Sequence, residues 1–230
     1  MSIQKSDIQL DVNGKSVNAY VASPERGGPG VLVLHAWWGL KPFFKQVCDQ
    51  IAEQGFVALA PDLYQGRIAN TIDEAKGLLE KRDIELMGDT VKAAKAHLMS
   101  LATGDSIGAV GFSMGAAWSV ALAAYESGVA AVVLFYGSNS LDFSKMKAKV
   151  LGHFAEVDEW EPQEDVRAME KAMKDAGVDV ALHVYPKVGH WFVELDRPEY
   201  DAAAASLAWE RTYEFLNISL RGRSPKQSPT

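Results

Sequence analysis

The chain has 230 residues, a formal net charge of -7, 48% hydrophobic residues and a single cysteine, Cys48. This length and composition predict one globular domain over residues 1–218, with a core that needs no disulfide or metal. The acidic balance excludes a nucleic acid partner, because no basic excess can displace the counterions of a phosphate backbone. No apolar run is long enough to span a membrane, and no basic leader precedes an apolar segment at the N-terminus, so we expect a cytoplasmic protein.

The last ten residues are polar and basic and contain two prolines. This composition predicts a disordered tail, over 219–230. The chain shows no metal-ligand spacing, phosphate-binding loop or dinucleotide fingerprint, so we expect no metal and no cofactor. A small molecule is the expected partner, with neither nucleic acid nor membrane, and the protein is expected to be a monomer or a small homo-oligomer.

The apolar pattern changes along the chain. Apolar and polar residues alternate over 8–12 and 17–21, on either side of Asn13-Gly14, which predicts an antiparallel pair joined by a tight turn. Continuous apolar runs then follow at 31–34, 56–60, 107–111, 130–135, 150–154 and 180–185. Runs that are apolar on both faces are typical of parallel strands covered by helices on each side.

Apolar residues at helical spacing separate these runs, over 44–51, 86–101, 166–173 and 204–215, and an alanine-rich segment follows residue 115. Strands that alternate with helices predict an α/β fold, with a mostly parallel, doubly wound sheet in three αβα layers. Ligands of such sheets bind beyond the carboxyl ends of the strands, so the residues after each strand are the candidates for a functional site.

A G-x-S-x-G motif, Gly111 to Gly115, lies between a predicted strand and a predicted helix, with Ser113 at its centre. In the α/β-hydrolase fold this motif holds a nucleophilic serine on a sharp strand-to-helix turn. The glycines allow close chain approach, and the helix N-terminus favours a developing oxyanion. The bare motif also occurs as a glycine-rich turn with an idle serine, but the strand and helix around it favour a catalytic Ser113.

A serine nucleophile needs a histidine base further along the chain. His153 and His183 lie inside predicted strands, where roles in packing are expected. His190 lies in the loop directly after the last predicted strand, from which an imidazole can reach Ser113. The sequence therefore predicts His190 as the general base.

Three acids, Glu156, Asp158 and Glu159, follow the predicted strand 150–154. An acidic loop before a helix also complements the helix dipole, an explanation that fits Glu159 best. The pattern favours Asp158 as the group that orients His190 and stabilises its charged form.

The oxyanion donors and the substrate pocket have weaker signals in the sequence than the three catalytic residues. The backbone N–H groups of Met114, just after the nucleophile, and of Trp37, after the first parallel strand, are the predicted oxyanion donors. Aromatic residues in predicted loops at strand ends are expected to wall an apolar substrate pocket: Trp37, Trp38, Tyr64, Tyr136, Trp160 and Trp191.

Taken together, these segments resemble the dienelactone hydrolase family. LHAWWGL at 34–40, APDLYQGR at 60–67, GFSMG at 111–115, AEVDEW at 155–160 and VGHWF at 188–192 occur in the family's order and approximate spacing. The resemblance extends from about residue 8 to 216 and implies an α/β-hydrolase that cleaves esters or lactones. The family's acid and histidine positions match Asp158 and His190.

Three positions differ from the best-known family members. Ser113 replaces a cysteine, and Ala36 replaces a glutamate that helps to activate that cysteine. The two changes are consistent with each other, because a serine is activated by a general base and does not need the glutamate. Glu194 replaces an arginine that holds the carboxylate of dienelactones, and a glutamate there would repel an anion. We therefore expect a pocket that includes Ala36 and Glu194 and accepts small uncharged esters or lactones.

Two alternatives stay open. The protein could be a carboxymethylenebutenolidase, a dienelactone hydrolase proper, that binds the substrate's carboxylate in another way. It could also be a non-catalytic binding protein that has kept a hydrolase fold, because fold alone does not imply function. A peptidase is disfavoured, because a chain of this length leaves little room for extended subsites.

Overall fold

Eight strands form one mixed sheet in the computed structural model, which describes residues 2–222. The strands are β1 (Ile3–Val12), β2 (Lys15–Pro24), β3 (Gly30–Leu34), β4 (Val57–Pro61), β5 (Ile107–Phe112), β6 (Val129–Phe135), β7 (Lys149–Ala155) and β8 (Val180–Tyr185). Their order is β1-β2-β4-β3-β5-β6-β7-β8, with β2 antiparallel to both neighbours and the other pairs parallel. This confirms the predicted mostly parallel sheet with an N-terminal antiparallel pair.

Six helices pack around this sheet within the same residues: α1 (Pro42–Glu53), α2 (Ile72–Glu80), α3 (Ile84–Leu101), α4 (Met114–Tyr125), α5 (Gln163–Asp175) and α6 (Ala202–Arg221). α1 and α6 contribute to the core on one face of the sheet, and α3, α4 and α5 to the core on the other. The predicted three αβα layers are therefore confirmed. Between residues 2 and 222, no helix has both the length and the apolar character that crossing a membrane requires.

Strand β3 shows why the sheet needs helices on both faces. Val31 and Val33 pack in the core under α1 and α6, whereas Leu32 and Leu34 pack in the core under α3 and α4. All four side chains are fully buried. Because successive side chains of a strand point to opposite faces, an uninterrupted apolar strand is buried only where both faces are covered.

The sequence prediction omits α2, a nine-residue helix in which only Ala75 is fully buried, so its apolar stripe is short. A clearer signal lies at its N-terminus. Thr71 Oγ1 accepts the N–H of Glu74 at 3.2 Å, and Glu74 Oε2 accepts the N–H of Thr71 at 3.2 Å. This reciprocal pair is a capping box, which marks a helix start in sequence.

The last helix, α6, continues past the predicted domain end at residue 218, through Ser219 to Arg221. Gly222 ends the helix in the left-handed region, with φ 64° and ψ 21°, a common way to terminate a helix. Leu216 and Leu220 lie against Gly108 of β5 and extend the apolar stripe of the helix beyond residue 218. The rest of the predicted tail, residues 223–230, lies outside the described residues.

The parallel strands bring three loops to one edge of the sheet. β5, β7 and β8 run in the same direction, and the chain after each of them carries Ser113, Asp158 and His190 respectively. Carboxyl ends of parallel strands share one edge, so residues 77 positions apart in sequence can meet there.

Two helical glycines allow a matched test of how closely α4 packs on the sheet. A methyl group on Gly115 would overlap the Leu34 carbonyl, whereas one on Gly88 of α3 would meet its nearest neighbour, Trp118, at 3.5 Å. We expect Gly88→Ala to raise the free energy of unfolding by about 0.5–1 kcal/mol, because alanine loses less backbone entropy than glycine. We expect Gly115→Ala to lower it by about 1–3 kcal/mol. Urea titrations measure both changes, and equal effects would contradict the close contact of α4 with β3.

Candidate active site

Ser113 occupies the sharp turn between β5 and α4. Its backbone has φ 49° and ψ -112°, values outside the regions that a serine normally adopts. The Ser113 N–H donates to the Phe135 carbonyl of β6 at 2.9 Å, and the Ser113 carbonyl accepts the N–H of Ala116 at 2.9 Å. Strained residues of this kind cost about 1–3 kcal/mol and persist where surrounding structure holds them.

His190 lies in the loop after β8 and contacts Ser113 directly. Its Nε2 lies 2.9 Å from Ser113 Oγ, and its Nδ1 lies 2.8 Å from Asp158 Oδ2. The carboxylate can only accept, so Nδ1 carries the proton and Nε2 is left free to accept from the serine hydroxyl. His190 is only 4% exposed, which shields both hydrogen bonds from water.

The loop after β7 fixes the Asp158 carboxylate. Asp158 Oδ1 accepts the N–H groups of Trp160 and Glu161, both at 2.9 Å. Of the three acids that the sequence left open, Asp158 is the one that contacts His190. Glu156 is exposed and accepts the N–H of Lys187 at 2.8 Å, and Glu159 is exposed.

A cavity of about 310 Å³ opens above Ser113 and His190. The other lining residues are Trp37, Leu79, Met114 and Trp160. Trp37 follows β3, and Met114 is the first residue of α4, so its N–H belongs to the first turn and has no acceptor within the helix. The lining is mostly apolar, and the two polar groups in it are the serine and the histidine.

Of the six residues predicted to form the substrate pocket, Trp160 is the one that lines this cavity. The other five residues do not line the cavity: Ala36, Trp38, Tyr64 and Glu194 are fully buried, and Trp191 is 2% exposed. Of the aromatic residues expected around the pocket, Trp37 lines it and Tyr136 is fully buried.

Packing among the tryptophans explains which of them reach the cavity. Trp37 makes edge-to-face contacts with Trp38 and Trp160, at ring-centroid distances of 5.5 and 5.1 Å. Trp38 and Trp191 lie behind this layer, and the Arg197 guanidinium is 4.5 Å from the ring centroid of each. Trp38 packs edge-to-face on Trp37 and Trp191 stacks on it at 6.3 Å, and neither lines the cavity, so both support Trp37 without facing a ligand.

Leu79 is a lining residue that the sequence analysis misses. It belongs to α2, the helix whose apolar stripe is too short to predict. The adjacent Lys76 Nζ lies 5.5 Å from the centroid of the Trp160 ring, so α2 also covers the outer side of that tryptophan. The capping box at Thr71 and Glu74 is the sequence signal that would have placed this helix near the site.

Glu194 does not act as the predicted negative charge in the pocket. Its Oε1 accepts the hydroxyl of Tyr136 at 2.8 Å, and burial raises the pKa of this carboxyl to about 8. The side chain is therefore mostly protonated at neutral pH and lies beneath the cavity. A fully buried carboxyl that does not line the cavity and is mostly protonated gives no structural basis for the predicted repulsion of an anionic substrate.

Two of the other histidines have structural roles. His35 Nδ1 lies 2.7 Å from the Ala36 carbonyl, and its Nε2 accepts the N–H of Leu63 at 3.0 Å. The bond to Leu63 joins the chain after β3 to the chain after β4. His153 in β7 bonds the hydroxyls of Tyr185 and Thr212, and burial keeps its pKa well below the usual value.

A serine on a strand-to-helix turn, with a buried histidine and aspartate after later parallel strands, defines the class of α/β-hydrolases. The crystal structure of a dienelactone hydrolase from Anabaena variabilis has the same fold. It matches with a TM-score of 0.73 and 19% sequence identity, covering 95% of this chain and 99% of that one.

Sequence comparison gives the family. The model of the dienelactone hydrolase family matches residues 17–220. "Protein usf" of Aquifex pyrophilus is 34% identical over 222 residues, covering 91% of this chain and 96% of the relative. A "Putative carboxymethylenebutenolidase" of Aquifex aeolicus is 33% identical over 229 residues, covering 93% and 98%. The chain therefore belongs to the dienelactone hydrolase family and is a hydrolase.

The raised pKa of Glu194 predicts a specific dependence of stability on pH. Between its ordinary value of 4.5 and about 8, the native state keeps this proton while the unfolded chain loses it, so the free energy of unfolding falls as pH rises. Glutamine cannot ionise. We expect the stability of Glu194→Gln relative to wild type to increase by about 1.4 kcal/mol per pH unit across this window and then level off.

Urea titrations from pH 5 to pH 9 measure this difference. Glu159→Gln, a change at an exposed glutamate, serves as the control for removing one acidic group. Parallel stability curves for wild type and Glu194→Gln would show that Glu194 is ionised in the native protein.

Proposed function

We propose that the protein hydrolyses small uncharged carboxylic esters or lactones through an acyl-enzyme on Ser113. The observation that carries this proposal is the continuous chain of hydrogen bonds from Asp158 through His190 to Ser113, with distances of 2.8 and 2.9 Å. The same order of groups defines the serine triad. An assembled triad that opens into a cavity disfavours a protein that only binds.

In the first half of the reaction, Ser113 Oγ attacks the carbonyl carbon of the ester while His190 Nε2 takes the hydroxyl proton. The Asp158 carboxylate stabilises the imidazolium that results. When the tetrahedral intermediate collapses, the bond to the leaving oxygen breaks and His190 returns the proton to that oxygen. The alcohol departs and an ester of Ser113 remains; for a lactone, the alcohol stays attached to the acyl group.

The developing oxyanion is proposed to accept the N–H groups of Met114 and Trp37. Met114 begins α4, so its N–H adds to the positive end of the helix dipole. Trp37 also lines the cavity, and it follows β3. Two donors aimed at the oxygen while charge develops supply several kcal/mol, and removing one such donor costs about 10²–10³-fold in rate.

Water completes the cycle. His190 Nε2 removes a proton from a water molecule as its oxygen attacks the acyl carbon, and collapse of the second intermediate returns the proton to Ser113 Oγ. The products are a carboxylic acid and the free enzyme. Within the protein, only Ser113 and His190 gain or lose a proton during the cycle.

The composition of the cavity supports uncharged substrates. Apart from Ser113 and His190, the lining residues are Trp37, Leu79, Met114 and Trp160. None of these side chains can neutralise a carboxylate, and an unpaired charge is costly in an apolar site. The volume of about 310 Å³ lies at the lower end of small-molecule pockets, so short acyl groups or small lactones fit best.

A second candidate function is the hydrolysis of a lactone that carries a carboxylate. This is the type of substrate that the name carboxymethylenebutenolidase implies for the Aquifex aeolicus relative. One observation favours it. Lys76 Nζ lies 5.5 Å from the centroid of the Trp160 ring, which places an exposed cation at the side of the cavity formed by α2. An exposed ion pair contributes only about 0–1 kcal/mol, which makes Lys76 a weak anchor.

Replacing the nucleophile tests the proposed chemistry. We expect Ser113→Ala to lower kcat for p-nitrophenyl acetate by at least about 10⁴-fold, because neither His190 nor Asp158 can attack in its place. Ser119→Ala is the matched control. This serine is buried in α4 and donates to the Gly115 carbonyl at 2.9 Å, away from the cavity, and its loss should leave kcat within about twofold. Equal values of kcat for the wild type and Ser113→Ala would show that Ser113 is not the nucleophile.

A comparison of two substrates separates the candidate functions. We expect kcat/KM to be at least about tenfold higher for a neutral aryl acetate than for an anionic dienelactone, a difference of about 1.4 kcal/mol. Lys76→Gln should leave this ratio nearly unchanged. Preference for the anion in the wild type, together with its loss in Lys76→Gln, would favour the second candidate.

A further inference from the structure

Tyr136 lies directly behind the candidate base, at the end of β6. Its backbone has a φ of 40°, in the left-handed region that a tyrosine seldom adopts. The Tyr136 N–H donates to the His153 carbonyl of β7 at 2.8 Å, and the next residue, Gly137, packs against the Ser113 carbonyl. The backbone is therefore fixed between the strand before the acid loop and the turn that carries the nucleophile.

The ring of Tyr136 forms one wall for the His190 imidazole. The two ring centroids are 4.7 Å apart with an interplanar angle of 52°. On another side, the Trp191 ring lies 5.2 Å from the imidazole at 88°. Tyr136 is fully buried and is not among the residues that line the cavity. It can therefore limit the movement of the base without contacting a substrate.

Glu194 fixes the far end of this ring. Its Oε1 accepts the Tyr136 hydroxyl at 2.8 Å, and within residues 2–222 its Oε2 has no hydrogen-bond partner. A buried polar atom without a partner costs about 1–3 kcal/mol. A leucine or methionine at residue 194 would avoid that cost but could not accept the hydrogen bond from the Tyr136 hydroxyl. We therefore assign the buried carboxyl the role of holding the Tyr136 ring in position.

The surroundings of Glu194 keep it an acceptor over a wide pH range. Its pKa is raised to about 8, chiefly by burial and also by Asp196, while the hydrogen bond from Tyr136 and the charges of Lys41 and Arg197 oppose the rise. The pKa of Tyr136 is raised well above 10.0, chiefly by burial, with Glu194, Asp196 and Asp158 contributing. The tyrosine therefore stays protonated, and its hydroxyl donates a hydrogen bond to Glu194 whether or not the carboxyl is ionised.

We propose that Tyr136, held by Glu194, is a positioning residue that keeps the His190 imidazole aligned between Asp158 and Ser113. This inference rests on the proposed hydrolytic function. His190 moves a proton in both halves of the reaction, and catalytic groups lose much of their effect when they shift by a fraction of an ångström to 1 Å. Loss of the tether should slow the chemistry and leave substrate binding intact.

Four variants test the tether through kcat and KM for p-nitrophenyl acetate. We expect Tyr136→Phe and Glu194→Met each to lower kcat about tenfold with KM unchanged, because the ring remains but its anchor is lost. The double variant should lose no more than either single variant, because both remove the same hydrogen bond. Glu194→Gln keeps an acceptor for the Tyr136 hydroxyl and should restore kcat to near the wild-type value.

Tyr185→Phe is the matched control for the loss of a buried tyrosine hydroxyl. Tyr185 is 3% exposed, and its hydroxyl bonds His153 at 2.9 Å and Arg211 at 3.1 Å, away from His190. We expect this variant to lower the urea midpoint without changing kcat. All variants are assayed at a temperature where urea titrations show them to be folded.

Three results would overturn the inference: equal kcat for Tyr136→Phe and Tyr185→Phe, an equal loss for Glu194→Gln and Glu194→Met, or a change confined to KM. Each can be distinguished from failure of the proposed function. If Ser113→Ala has lost activity while Tyr136→Phe has not, the triad stands and the positioning role falls. If Ser113→Ala is fully active, the proposed function itself fails.

Discussion

The strained backbone of Ser113 is the constraint on which the site depends. A φ of 49° is unfavourable for serine, at a cost of about 1–3 kcal/mol. Parallel pairing of β5 with β3 and β6, the hydrogen bond from the Ser113 N–H to Phe135, and the close approach of α4 at Gly115 hold the turn in place. The same sheet sets the starting points of the loops that carry Asp158 and His190. These contacts place the Ser113 hydroxyl at the edge of the sheet, 2.9 Å from His190 Nε2.

Burial then makes the short hydrogen bonds of the site effective. His190 and Asp158 have side chains only 3% and 1% exposed, and electrostatic interactions strengthen where water is excluded. The aromatic side chains that exclude water form two groups. Trp37 and Trp160 face the cavity, whereas Trp38, Trp191 and Tyr136 lie behind them or behind the base. The first group can select a substrate, and the second can only support the residues that touch it.

The sheet and the positions of the three central residues could be predicted from sequence because their signals are local. The elbow needs glycines at fixed offsets from Ser113, and His190 and Asp158 follow apolar strands directly. The pocket could not be predicted, because packing between distant loops decides which aromatic side chain faces outward. Leu79 was missed with its short helix. The position of Glu194 relative to His190 suggests contact with a ligand, whereas its burial and its bond to Tyr136 appear only in three dimensions.

Mass spectrometry of the wild-type protein, quenched in acid within milliseconds of mixing with p-nitrophenyl acetate, detects an acyl-enzyme directly. If Ser113 is the nucleophile, we expect one acetyl group per chain, located by peptide mapping on Ser113, that disappears as substrate is exhausted. Turnover without any adduct on Ser113, or an adduct on another residue, would contradict the proposal that this triad works through an acyl-enzyme.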